Sequence, residues 1–81
     1  MNLTVKLFAG LKCCNPELPC FGSNDLSLDV PAGTTIGALR AILAIDPAIP
    51  LLTMVNNHHE QEEWVLKDND RVGMFPPIGG G

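Results

Sequence analysis

Apolar and polar residues alternate from the start of the chain. Leu3, Val5 and Leu7 fall on one face of residues 2–8, and Thr4 and Lys6 on the other. A period of two predicts a half-buried strand. Residues 9–24 break the alternation with two glycines, two prolines and every cysteine of the chain, and read as a long loop with room for a turn of helix. Alternation resumes over 25–30, with Leu26, Leu28 and Val30 inward. Pro31-Ala32-Gly33 stops that strand, and Thr34 or Thr35 then offers a hydroxyl to cap a helix. Ile36, Leu39, Ile42 and Leu43 share one helical face, and Asp46-Pro47 ends the run, because the residue before a proline avoids helical geometry. A third strand is predicted over 51–56 and a short edge strand over 64–66. Lys67-Asp68-Asn69-Asp70 is a turn signal, and a last strand follows over 71–75.

This order predicts an α+β roll: one mixed sheet of four to five strands crossed by one main helix. The connection through the helix would make the first and last strands parallel neighbours at the sheet centre. At 81 residues and 8.7 kDa the chain has room for one small domain, expected over 1–75, followed by a flexible glycine-rich tail over 76–81. That size suits a carrier, adaptor or subunit better than an enzyme with its own pocket.

Charge narrows the partners. Nine acidic and five basic residues give a net charge of −4. There is no Lys/Arg run, so nucleic acid is not an expected partner, because phosphate neutralisation supplies most of such affinity. A partner with a basic docking surface fits the charge better. The most apolar stretch, 36–45, contains Arg40 and is too short for a membrane span. The N-terminus reads as a strand rather than a signal peptide, which makes a cytoplasmic location the expectation.

The chemistry concentrates at the end of the chain. Pro76-Pro77 stiffens the exit from the last strand, and Ile78-Gly79-Gly80-Gly81 follows. Glycines cannot pack a core, but a tail without side chains can thread a narrow channel. The Gly81 carboxylate would then be open to activation by ATP in a partner's active site, and its unhindered carbonyl open to a sulfur or nitrogen nucleophile.

The stretch Asp68-Asn69-Asp70-Arg71-Val72-Gly73-Met74-Phe75-Pro76-Pro77-Ile78 with its glycines resembles the tails of MoaD/ThiS-type sulfur carriers, above all the small subunits of molybdopterin synthase. Leu7-Phe8-Ala9-Gly10-Leu11, Pro31-Ala32-Gly33-Thr34-Thr35-Ile36 and Val55-Asn56 add to the likeness in the right order. The resemblance implies the β-grasp fold shared with ubiquitin. It also implies a cycle in which a ubiquitin-activating-type enzyme, using ATP and magnesium, adenylates Gly81. A sulfur donor such as a cysteine desulfurase or a rhodanese converts the adenylate to a thiocarboxylate. Gly79, Gly80 and Gly81 then enter an acceptor enzyme, with Phe75, Pro76, Pro77 and Ile78 docking beside it. In molybdopterin synthase the acceptor is the large subunit and the substrate a cyclic pyranopterin precursor. Catalytic residues would sit on the partners, and this chain would bind no cofactor or metal itself. Alternative acceptors make thiazole, cysteine, methionine or thiolated tRNA. A ubiquitin-like modifier joined to lysines through Gly81, or an interaction domain with an inert tail, is the competing class. The third glycine, the cysteine-bearing loop and His58-His59-Glu60 depart from the family pattern and leave the pathway open.

Cys13, Cys14 and Cys20 are too few, and two are adjacent, for an iron–sulfur loop of the ferredoxin kind. A zinc site with one histidine is conceivable by ligand type but awkward for adjacent cysteines. Loop thiols without a role are the plainer reading, with redox regulation or transient sulfur transfer the alternative. His58 and His59 read as an exposed turn, and Trp64 as a cover on the core's edge. Phe75 is either core or an exposed collar. Asp25, Asp29, Glu60, Glu62, Glu63, Asp68 and Asp70 read as a solvated acidic surface.

Overall fold

A computed structural model describes residues 1–76. Strands β1 (Asn2–Leu7) and β2 (Asp25–Asp29) pair antiparallel, helix α1 (Ile36–Ile42) follows, and β3 (Leu52–Val55), β4 (His58–His59) and β5 (Arg71–Phe75) complete one sheet. The sheet order is β2-β1-β5-β3-β4. β1 and β5 are its parallel central pair, with Val5 opposite Val72 and Leu7 opposite Met74. This is the predicted roll, a β-grasp.

The inward residues of each strand build the core. Leu3, Val5, Leu7, Leu26, Leu28, Val55, Val72 and Met74 are buried beneath Ile36, Leu39 and Leu43 of the helix region. Each such side chain contributes about 1.5–3 kcal/mol by leaving water. Thr35, not Thr34, caps the helix: its hydroxyl accepts from the Ala38 N–H at 3.1 Å. Thr34 instead donates to the Pro31 carbonyl at 2.7 Å. The helix stops before Asp46-Pro47, where Ala44 turns left-handed at φ 57°. Arg40 then holds the returning chain. Its guanidinium donates to the carbonyls of Asp46 and Ile49 and to Glu62 Oε2, the last at 3.0 Å.

The predicted edge strand over 64–66 is not formed. Val65 makes only an isolated bridge with Thr35, which ties the 61–66 segment to the helix start. The edge belongs to His58–His59, which pair with Val55 and Met54. A two-residue turn, Asn56-Asn57, makes this hairpin, with φ 50° and 71°. Both central residues of such a turn need positive φ, which asparagine tolerates best after glycine. The histidines are exposed as expected, but in a strand. Trp64 packs against the core's edge, with the Lys67 ammonium 5.8 Å from its ring centroid. Asp70 is not on the surface: it is buried, its carboxylate accepting from Lys67 N–H and Asn56 Nδ2, each at 2.8 Å. Of the tail predicted over 76–81, only Pro76 is among the described residues.

Candidate functional site

The sheet face away from the helix is organised in three rows by strand register. Thr4 lies beside Arg71, and the Asn56 N–H reaches the Arg71 carbonyl at 2.8 Å. Lys6 and Met54 flank Gly73 from either side. Leu52 pairs with Phe75, and the Phe8 N–H extends the β1 ladder by donating to the Met74 carbonyl at 3.0 Å. Polarity therefore falls along β5, from a basic row at Arg71 to an apolar row where the chain leaves the sheet.

Phe75 is half-buried, but not in the core. Its ring meets Phe8 edge to face, with centroids 5.2 Å apart and planes at 66°. The pair lies over Gly73, where an added methyl carbon would come within 3.4 Å of the Phe8 ring. Phe8 and Leu52 remain 46% and 42% exposed, large values for side chains of their apolar size. The rows enclose a shallow concavity of about 440 Å³ lined by Lys6, Phe8, Met54, Asn57, Arg71 and Phe75. A solvent-facing apolar patch with a charged rim makes this face a candidate docking surface.

Of the docking residues named from sequence, Phe75 lines this face, and Pro76, the next residue, is half-buried. Pro77, Ile78, Gly79, Gly80 and Gly81 lie outside the described residues. Sequence reasoning missed Phe8, Leu52 and Met54. The signal was present: each is a large apolar residue out of phase with its strand, and in β3 it is Thr53 that points inward, 5% exposed.

Among the described residues no group of three His, Cys, Asp or Glu side chains is placed to hold a metal ion. Among them, too, no helix is long and apolar enough to cross a membrane.

Residues 5–81 match the ThiS family. The chain belongs to that family. Its fold recurs in solved structures of low identity. Small archaeal modifier protein 1 from Haloferax volcanii is similar at a TM-score of 0.68 and 18% identity, over 95% of this chain and 98% of that one. A molybdopterin converting factor subunit 1 from Pyrococcus furiosus is similar at 0.67 and 20%, over 95% and 98%. The structure of a complex of subunits 1 and 2 of molybdopterin-converting factor from Helicobacter pylori contains a chain similar at 0.63 and 22%, over the whole of both chains. Membership places the protein among the MoaD/ThiS-type sulfur carriers, small proteins that are generally not catalysts themselves.

Proposed function

We propose that this protein is a sulfur carrier that donates sulfur in molybdopterin biosynthesis from a thiocarboxylate at Gly81. The observation that carries the reading is the placement of the tail's root. In a ThiS-family chain, β5 runs at the sheet centre and delivers Phe75-Pro76 beside an exposed apolar face. Such a face positions the domain on a partner while Gly79-Gly80-Gly81 reaches that partner's active site.

The chemistry belongs to the partners. In the activating enzyme, with ATP and magnesium, a Gly81 carboxylate oxygen attacks the α-phosphorus and pyrophosphate leaves. A persulfide on a cysteine desulfurase or rhodanese attacks the carbonyl carbon and AMP leaves, giving an acyl disulfide. A thiol then cleaves its S–S bond, leaving the thiocarboxylate on Gly81 and a new disulfide on the donor side. The acceptor is the molybdopterin synthase large subunit, and the cycle runs in the cytoplasm. This chain contributes the terminus, the docking residues Phe75, Pro76, Pro77 and Ile78, and no cofactor of its own.

The likeness to an archaeal modifier protein favours a second reading, attachment of Gly81 to lysines of other proteins. Intact-mass spectrometry of the protein from its own host separates the two. Replacement of one carboxyl oxygen by sulfur, localised to Gly81 by fragmentation, is the expected result. Free carboxylate alone, alongside isopeptide-linked lysine peptides in a digest, would transfer the reading to the modifier.

A further inference from the structure

The loop between β1 and β2 contains every thiol of the chain, and the structure sorts them. Cys13 is 1% exposed and part of the hydrophobic core. Cys20 is half-buried against that core, with its Sγ 3.3 Å from the Cys13 Sγ. Cys14 is exposed, with its Sγ 3.4 Å from the Lys12 carbonyl. All three are free thiols.

The backbone enforces the pairing. Cys13 exchanges two hydrogen bonds with the far side of the loop, N–H to the Ser23 carbonyl at 2.9 Å and carbonyl to the Gly22 N–H at 2.8 Å. A tight turn bends Cys20 back toward it: the Ser23 N–H reaches the Cys20 carbonyl at 2.8 Å, and Gly22 supplies the positive φ, 83°, at the third position. A disulfide needs its sulfurs at about 2.0 Å, so the two Sγ atoms must close by only about 1 Å. Cys14 does not join them as a metal ligand: among the described residues no three such side chains are grouped to hold an ion.

We propose that Cys13 and Cys20 are a modification site: a vicinal dithiol that closes to a reversible disulfide and clamps the β1–β2 loop. A small-molecule disulfide is the oxidant. Cys20, the more accessible of the pair, loses its proton to solvent and attacks one sulfur of the oxidant, releasing one thiolate. Cys13, losing its own proton, attacks the Cys20 sulfur and displaces the second thiolate. Two protein thiols become one disulfide, and the oxidant becomes two thiols. A dithiol reductant reverses the step. The clamped lobe rests on the helix through Cys14 N–H to the Leu43 carbonyl and Asn15 Nδ2 to the Ile42 carbonyl, each at 2.8 Å, so closure stiffens the helix end as well.

The test uses the full chain and its Cys14→Ser variant, incubated with glutathione disulfide, alkylated and cut at Glu17, which lies between the paired cysteines. The expected product in both is a Cys13–Cys20 linked peptide pair, lost on dithiothreitol treatment. The thermal midpoint of the oxidised protein should rise by roughly 10–20 °C. The Cys20→Ser variant, which spares the buried partner, should give no internal cross-link and no rise. Stable glutathione adducts on Cys20 with Cys13 still reduced, or Cys14-linked dimers as the sole disulfide, would overturn the proposal.

Discussion

Phe8 and Phe75 come from the two ends of the chain and meet edge to face over Gly73, with ring centroids 5.2 Å apart. The contact joins the end of β1 to the end of β5 where the chain departs toward its terminus. It also creates the apolar row of the open sheet face. Removing either ring therefore acts on stability and on docking by different amounts.

Phe8→Ala should cost about 1 kcal/mol of folding stability, since the ring is nearly half exposed and the aromatic pair is worth about 0.5–1.5 kcal/mol. Binding to the proposed activating enzyme should weaken at least about tenfold, or about 1.4 kcal/mol, as expected for an aromatic anchor at an interface centre. Urea denaturation and calorimetric titration of the same preparations measure both. Unchanged affinity would remove the open face from the docking surface.

Arg40 should matter far more than its ion pair does. Its guanidinium is buried and satisfies two backbone carbonyls, whereas Glu62 is 59% exposed at its side chain. Arg40→Met leaves those carbonyls unpaired and should destabilise by about 2–4 kcal/mol. Glu62→Gln should cost about 0–1 kcal/mol, as screened surface pairs do. Equal losses in chemical denaturation would contradict this division.

The Asn56-Asn57 turn predicts opposite outcomes for two substitutions at one site. Asn57→Gly should be neutral or slightly stabilising, because φ 71° suits glycine. Asn57→Val should cost about 1–2 kcal/mol, because a β-branched side chain resists that geometry. Paired thermal melts decide it, and tolerance of valine would mean that the hairpin does not need this turn.

Thiol labelling should follow the sorting of the cysteines. Cys14 is exposed and should react first with iodoacetamide at neutral pH. Cys20 should lag. Burial, with hydrogen bonding to Cys13 and its charge adding to it, raises the Cys20 pKa, so less thiolate is present. Its labelling should accelerate as pH climbs toward that raised value. Cys13 should label only when the protein opens. Peptide mapping over a time course checks the order, and Cys20 labelling ahead of Cys14 would refute it.

Most of the fold was legible because most of it is periodic. β1, β2 and β5 alternate strictly, and their predicted bounds fall within one residue of the observed strands. β4 was not legible. Two adjacent histidines carry no period, and the strand exists because the Asn56-Asn57 turn folds the chain back on β3. Asp70 was misplaced for a related reason. The turn around it was predicted correctly, but its carboxylate folds inward to serve the turn's own N–H and the Asn56 amide.

The candidate surface was legible only in part. Phe75-Pro76 announces the root of the tail through its neighbours in sequence. The surface beside it is assembled from Phe8, Leu52 and Met54, which only strand register brings together. Composition cannot show that, although apolar residues on the wrong phase of a strand are its trace.

The order β2-β1-β5-β3-β4 has one more consequence. Among the described strands, the one made last sits in the middle, so β1 and β3 have no partner between them until β5 arrives. A ribosome-bound or truncated chain ending before Arg71 lacks the parallel ladder that closes the sheet, and such long-range pairing forms late. Assembly is therefore its own inspection: only a chain synthesised through β5 can close the sheet, and the residues that finish the fold lead directly into the glycine-bearing stretch proposed above as the partner-read segment.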